Sequence, residues 1–263
     1  MKAHAKINLA LVVGPTLPGG KHEVTTVLQR LEFADRIELE PAPELRVEGF
    51  EGDTLVRRAL ELFAAAAGVD PGWAVRIEKE IPVAAGLGGG SSDAATALRL
   101  ANQALGDPLS PEALRSVAAG LGADIAFFLV DGPQLGEGDG SDLTPLHLPQ
   151  DYTVVLVNPA DESKHSTAAV YAAFDGRIGA EGYAERRARL LAALAAGDLA
   201  ALPPNDLASS PLADELRAFG AFRADVTGAG PAVYGLFERE ADARAAAEQM
   251  DARGPVWVGA RAW

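Results

Sequence analysis

The chain contains no cysteine. That excludes disulfides, thiolate zinc sites and a cysteine nucleophile together. Histidine is scarce as well. His4, His22, His147 and His165 share no close ligand spacing, which argues against a protein-held transition metal. No apolar run approaches the roughly 20 residues of a membrane span. Basic residues are outnumbered, 23 Lys and Arg against 37 Asp and Glu, for a formal charge of −14. An acidic surface repels phosphate backbones and anionic membranes, so neither nucleic acid nor a membrane is expected as a partner. The opening residues, MKAHAKINLALVV, hold a short apolar run without a small-residue cleavage pattern. They read as a first strand rather than a signal peptide, which makes the cytoplasm the expected compartment.

What is present suffices for a real core: 263 residues, 48% of them hydrophobic, enough for one large domain or two ordinary ones. The expected boundary falls near Pro149–Asp151, giving domains over 1–150 and 151–263. The most informative stretch is Ile81–Leu98, IPVAAGLGGGSSDAATAL. An apolar strand runs into Gly88-Gly89-Gly90-Ser91-Ser92, after which Ala94, Leu98, Ala101 and Leu105 recur at helical steps. Ser91 or Ser92 is expected to cap that helix, with Asp93 in its first turn. Glycines let the backbone take positive φ and come close to a ligand. The free N–H groups of a first helical turn point at an anion. Strand, glycine loop and helix N-terminus therefore spell a phosphate cradle; a flexible connector rarely runs straight into a capped helix with a clean apolar face. No lysine precedes the serines, so the loop is not G-x-x-x-x-G-K-[ST]. Its glycine steps do not fit G-x-G-x-x-G either.

Elsewhere, Ala5–Val13 reads as a strand that projects Lys6 and Asn8 from one face. Those two residues fit a solvated strand edge as well as a site. A turn over Pro15–Lys21 leads to two expected strands, His22–Arg30 and Leu31–Glu40. Asp53 is expected to cap a helix over Thr54–Ala67 whose inner side carries Leu55, Ala59, Leu62 and Ala66. Trp73–Lys79 follows as the strand feeding the glycine loop, a β-α-β crossover if the strands are parallel. Ser110-Pro111-Glu112 starts a helix that ends at Gly120. In LGADIAFFLV, Asp124 is either a cap or turn residue or a carboxylate tuned for proton transfer. Gly132–Leu148 reads as a turn and a short strand. Strand Tyr152–Val157, helices over Ser166–Phe174, Glu185–Ala196 and Ser210–Phe219, a strand pair over Ala224–Phe237, helix Ala241–Met250 and strand Val256–Ala260 complete the chain. Tyr171 reads first as a packing residue and the lone His22 as structural; Gly228-Ala229-Gly230 alone is an ordinary glycine turn.

The string GLGGGSSDAA resembles the ATP-binding motif of the GHMP kinases, which include galactokinase, homoserine kinase, mevalonate kinase and phosphomevalonate kinase. It is most similar to the branch whose acceptor is a cytidine-diphosphate-linked sugar alcohol of the non-mevalonate route to isoprenoids. Three further segments are similar to that branch: AKINL at Lys6, GADIAFF at Asp124 and TGAGPAVYG at Thr227. Four positions depart from its pattern. His4 and Ala126 replace prolines, Lys21 replaces an aromatic, and Ala229 replaces a serine.

The resemblance implies an α+β, two-domain GHMP kinase fold. Its N-terminal domain would be like domain 2 of ribosomal protein S5 and its C-terminal domain ferredoxin-like, with the site in the cleft. It implies that ATP rests on Pro82, Val83, Ala84, Ala85, Gly86, Leu87, Gly88, Gly89, Gly90, Ser91 and Ser92, with Mg2+ bridging the phosphates. It implies Asp124 as catalytic base and Lys6 as the cation that holds the acceptor hydroxyl and keeps Asp124 ionised. Asn8, His22, Tyr171, Thr227, Gly228, Ala229 and Gly230 are the implied substrate contacts. The expected activity is ATP-dependent phosphorylation of the acceptor's 2-hydroxyl by a monomer or homodimer. The alternatives are a GHMP kinase for homoserine or a mevalonate derivative, or a non-catalytic nucleotide- or RNA-binding module. The acidic charge and the joint presence of Lys6 and Asp124 argue against the last.

Overall fold

The computed structural model describes residues 1–50, 55–70, 72–160, 166–177 and 179–262. In chain order the elements are β1 (Lys2–Thr16), β2 (His22–Pro41), β3 (Arg46–Glu48), α1 (Leu55–Ala67), β4 (Trp73–Glu78), α2 (Gly89–Ala104), α3 (Pro111–Ala119) and α4 (Ala123–Phe128). They continue with β5 (Gln134–Glu137), β6 (Asp142–Pro145), β7 (Thr153–Val157), α5 (Thr167–Arg177), α6 (Tyr183–Ala196) and α7 (Pro211–Ala218). The last are β8 (Arg223–Val226), β9 (Val233–Phe237), α8 (Glu240–Met250), a 3-10 turn over Asp251–Arg253 and β10 (Val256–Gly259). The mixture of helices and sheets is the α+β class the sequence implied.

The chain forms two compact units. The first comprises Met1–Ala5, Phe33–Val83 and Gly88–Asp131. Here the second half of β2 runs antiparallel to β4, from Arg36 opposite Glu78 to Pro41 opposite Trp73. β4 alternates as half-buried strands do, with Trp73, Val75 and Ile77 inward and Arg76 and Glu78 outward. The crossover expected around α1 exists, but its parallel partner is the three-residue β3, not β2. The buried face of α1 also differs from expectation. Val56, Ala59, Leu60, Phe63 and Ala64 point inward, while Leu62 is exposed. Phe63 stacks edge-on against Trp73 at 5.8 Å, and that aromatic pair fixes the helix's rotation. Asp53, the expected cap, lies outside the described residues. α3 starts as its sequence dictates: the Ser110 hydroxyl accepts the Ala113 N–H at 3.3 Å and Pro111 occupies the first turn.

The second unit comprises Lys6–Glu32, Ala84–Leu87 and Gly132–Trp263. Its β2 segment pairs antiparallel with β5 (Thr26 opposite Gly136), and β5 and β6 form a hairpin where the sequence suggested a single strand. His22–Pro41 is one continuous 20-residue strand rather than two, because nothing at Arg30-Leu31 breaks an extended run rich in β-branched and apolar residues. The C-terminal part of this unit is a four-stranded antiparallel sheet in the order β10-β7-β9-β8. Numbered from β7 that is 4-1-3-2, the ferredoxin-like arrangement. α7 and α8 cover it through Leu212, Leu216, Ala243, Ala246 and Met250 packed on Val155, Val157, Val226, Val233 and Phe237.

Candidate active site

The glycine loop opens α2 directly. Gly88 is the N-cap, in the left-handed region at φ 70, and the helix begins at Gly89. Ser91 and Ser92 therefore lie inside the helix and cap nothing, which corrects the sequence expectation. A serine caps from an extended backbone, and the turn at Gly88 has already committed Gly89 and Gly90 to the helix. Leu105 likewise ends the helix as an exposed residue instead of extending its buried face. The first i→i−4 bond runs from the Ser92 N–H to the Gly88 carbonyl at 2.9 Å. The N–H groups of Gly89, Gly90 and Ser91 precede it, so they form the unsatisfied donor array at the positive end of a 16-residue helix. Gly89 also stands in a crowded place, where a side chain would push on its neighbours. A Cβ there would sit 3.1 Å from Ile81 Cγ2 and 3.2 Å from Lys79 Nζ.

Upstream in the loop, Ala84 holds φ 66 and Gly86 φ 85. A Cβ on Gly86 would lie 2.2 Å from the Thr227 carbonyl oxygen, so two backbones touch there. The Ala232 N–H donates to the Ala85 carbonyl at 3.1 Å and the Lys6 N–H to the Leu87 carbonyl at 2.9 Å. Residues 84–87 are thus tied both to β1 and to the turn between β8 and β9.

Around that turn the second unit assembles a buried polar cluster. Strand periodicity places Lys6 and Asn8 on one face of β1, and the Lys6 ammonium donates to Asn8 Oδ1 at 2.6 Å. The Asn8 N–H donates to Thr227 Oγ1 at 3.0 Å and its Nδ2 to Thr26 Oγ1 at 2.8 Å. The Thr227 hydroxyl has Gly86 O at 3.3 Å and Asn8 Oδ1 at 3.4 Å as acceptors. A Cβ on Gly228 would stand 3.4 Å from both Lys6 Nζ and Asn8 Oδ1. Asn205 holds the turn from below: its Nδ2 donates to the Gly228 and Val226 carbonyls at 2.7 and 3.0 Å, while Oδ1 accepts the Leu207 N–H.

A second cluster in the same unit brings His22 and Tyr171 together, stacked at 4.9 Å between centroids. His22 Nε2 lies 2.8 Å from Asp175 Oδ1 on α5, and Phe174 meets the imidazole edge-on at 6.1 Å. Tyr171 and Ala229 both pack on the apolar group of Leu11, Val13, Val24, Phe174 and Leu207. Lys21 turns to the surface and pairs with Asp139 at 2.6 Å.

In the first unit Asp124 occupies the first turn of α4, half-buried, two residues after the Gly122 N-cap. Behind the glycine loop lies a triad that sequence reasoning missed. Lys79 Nζ donates to Asp35 Oδ2 at 2.5 Å and to Asp93 Oδ2 at 2.8 Å. Asp35 Oδ1 accepts the Glu80 and Ile81 N–H groups at 2.6 and 2.8 Å. Burial pushes the Asp93 carboxyl up to about 7; the Lys79 hydrogen bond opposes this and the Asp35 charge adds to it. Burial works against the charge of Lys79, yet hydrogen bonds to Asp35 and Asp93 hold its pKa above the usual lysine value. The two bonded pairs are 44 and 14 positions apart, so no local pattern links the three residues. The charged residue just after β4 and the acid inside the serine-rich helix start were the only visible signals.

With this geometry in view, the sequence matches GHMP kinases N terminal domain over residues 54–132 and GHMP kinases C terminal over residues 185–256. The chain belongs to the GHMP kinase family. Within it, the chain is similar to the 4-diphosphocytidyl-2-C-methyl-D-erythritol kinase of Geobacter sulfurreducens, 37% identical over 99% of this chain and 96% of the relative. The Desulfitobacterium hafniense enzyme of the same name is 38% identical over 98% and 94%. A crystal structure of a 4-(cytidine 5'-diphospho)-2C-methyl-D-erythritol kinase superposes with a TM-score of 0.83 at 34% identity, covering 100% of this chain and 99% of that one. The homoserine kinase of Cytophaga hutchinsonii shares the fold, with a TM-score of 0.75 at 18% identity over 99% and 96%.

Proposed function

We propose that this protein transfers the γ-phosphate of ATP to the 2-hydroxyl of 4-diphosphocytidyl-2-C-methyl-D-erythritol, in the non-mevalonate route to isoprenoids. The observation that carries the donor half is the N–H array of Gly89–Ser91, opening straight from a glycine loop whose Gly86 touches the backbone of Thr227. Such an array binds phosphate without side chains. Residues Pro82–Ser92 make up the nucleotide loop. Family membership makes ATP the phosphoryl donor. The names of the full-length relatives support the acceptor.

Among the described residues no group of three or more His, Asp or Glu could hold a metal. Mg2+ would arrive with the nucleotide, held mainly by its phosphates, and would neutralise charge on the transferring group. Asp124 takes the proton from the acceptor hydroxyl. Lys6, oriented by Asn8, holds that hydroxyl and supplies positive charge there. Thr227 and the Gly228–Gly230 turn line the phosphoryl side. His22 and Tyr171, whose rings already stack, supply the aromatic face for the cytosine, with Ala229 in the apolar wall beneath Tyr171. A division into domains over 1–150 and 151–263 leaves the two family matches whole, although the two compact units interleave along the chain instead of dividing at residue 150. The enzyme works as a monomer or homodimer in the cytoplasm on a small-molecule substrate, not on nucleic acid; no helix of the described residues is long and apolar enough to cross a membrane.

Lys21 favours the second reading, a GHMP kinase for homoserine or a mevalonate derivative, because it puts a surface lysine where the resembled branch carries an aromatic. ATP turnover measured with each acceptor separates the two. Stimulation by the cytidylyl substrate alone supports the first reading, and turnover only on homoserine or mevalonate replaces it with the second.

A further inference from the structure

The triad behind the glycine loop has no role in the chemistry described so far, yet it is built with care. Asp35 is fully buried and uses both carboxylate oxygens: Oδ1 holds two consecutive N–H groups at the loop entrance, Oδ2 holds Lys79. Asp93, 1% exposed, sits in the second turn of α2 and gives Lys79 its other acceptor. Its remaining oxygen, Oδ1, is buried without a hydrogen-bond partner. An orphaned carboxylate oxygen in the interior is costly, and replacing such a group with apolar side chains is often neutral or favourable for stability. Stability alone therefore does not explain Asp93. Lys79 meanwhile touches every part of the loop's foundation. It follows β4, it is bound to β2 through Asp35 and to α2 through Asp93, and its ammonium abuts the position where Gly89 would carry a Cβ. Phe50 covers it at 5.9 Å.

Resting on the kinase reading above, we propose that Asp35, Lys79 and Asp93 are positioning residues for ATP: a three-way clasp that fixes the angle at which α2 leaves the loop, so that the Gly89–Ser91 donors are aimed before the nucleotide arrives. Lys79 is then an internal strut and not a phosphate ligand, because two of its three N–H donors and its charge are engaged by two buried carboxylates. Donor arrays act through pre-set geometry, and displacements of about 1 Å are worth roughly 100-fold.

The test is calorimetric titration of a non-hydrolysable ATP analogue, with steady-state kinetics alongside, on Asp93→Ala, Asp93→Asn, Asp93→Leu and Lys79→Met. Asp93→Ala removes one arm and leaves Lys79 and Asp35 as a neutral pair, so the protein is expected to fold with an unchanged circular dichroism spectrum. Its affinity for the analogue and its KM for ATP should worsen about tenfold while the acceptor KM stays within twofold. Asp93→Asn keeps an oxygen for Lys79 and should restore most of the loss, whereas Asp93→Leu, which fills the space without an oxygen, should not; equal rescue by both would mean a space-filling role and overturn the clasp. Lys79→Met, where it folds, should show the same split more strongly. Unchanged analogue binding in Asp93→Ala overturns the clasp. Tighter binding overturns it too, since a freed ammonium that improves affinity is a phosphate ligand. Failure of the wild type to bind the analogue at all would sink the kinase reading itself, a result distinct from either.

Discussion

Replacing Gly90 with alanine separates a structural glycine from a functional one. Gly90 is the second residue of α2; it is exposed, and a Cβ there meets nothing within 4 Å. Nothing in the folded protein opposes the methyl group. Alanine in place of glycine in a helix is worth up to about 1 kcal/mol, which for a chain of this size raises the melting temperature by roughly 2–4 °C. The same methyl group stands at the mouth of the N–H array, where a phosphate oxygen must approach to hydrogen-bond distance. Gly90→Ala should therefore melt slightly higher than wild type and bind ATP about 10- to 100-fold more weakly. Thermal denaturation and calorimetric titration with an ATP analogue read the two effects separately. A variant that is more stable and binds ATP as well as wild type would refute placement of the phosphates on this helix start. Gly86→Ala is the contrasting case. Its φ of 85 and the Thr227 oxygen at 2.2 Å make the side chain impossible without moving backbone, so stability and ATP binding should fall together.

Asp124→Asn and Lys6→Ala should each lose about 10²- to 10⁴-fold in turnover in single-turnover kinetics while the fold and ATP binding survive; near-normal turnover in Asp124→Asn removes it from the base role. Asn205→Ala deletes three buried hydrogen bonds, two to the Val226 and Gly228 carbonyls at the turn and one from the Leu207 N–H, a loss of about 2–3 kcal/mol in urea unfolding, and a change under about 0.5 kcal/mol would mean the turn holds itself. Asp93 is raised from 3.8 to about 7, so between those values the native state keeps a proton that the unfolded chain has released. Its contribution therefore falls as pH rises through that window, by about 1.4 kcal/mol per pH unit. Asp93→Asn should gain stability relative to wild type from pH 5 to pH 7, whereas a constant difference contradicts the shift. Lys21→Ala breaks an exposed pair with Asp139 (64% of the lysine side chain is in solvent). It should cost under about 1 kcal/mol and leave the acceptor KM within twofold; a tenfold rise would assign Lys21 to the substrate.

Elements written in local code were legible from sequence alone. Ser110-Pro111-Glu112 carries cap, proline and acid in three residues, and α3 starts there. The glycine loop announced both a close backbone approach and a helix behind it. What stayed hidden depended on distant partners or degenerate composition. In α1 the alanines at 59, 64, 65, 66 and 67 fit several faces equally, and only the contact of Phe63 with Trp73 selects one. The serines at 91 and 92 look like caps until Gly88 takes a left-handed backbone and starts the helix early. Asp35, Lys79 and Asp93 are unremarkable as single residues; their meaning lies in hydrogen bonds that span 14 to 44 positions. The same holds for Asn205, whose side chain acts on a turn more than 20 residues away.

The most direct test of the account is phosphorus NMR of the product formed from ATP, Mg2+ and 4-diphosphocytidyl-2-C-methyl-D-erythritol. The account predicts one new phosphomonoester, coupled to the carbon that bears the 2-hydroxyl, with ADP released in equal amount. ADP formation without that ester, or an ester at another hydroxyl, would contradict it.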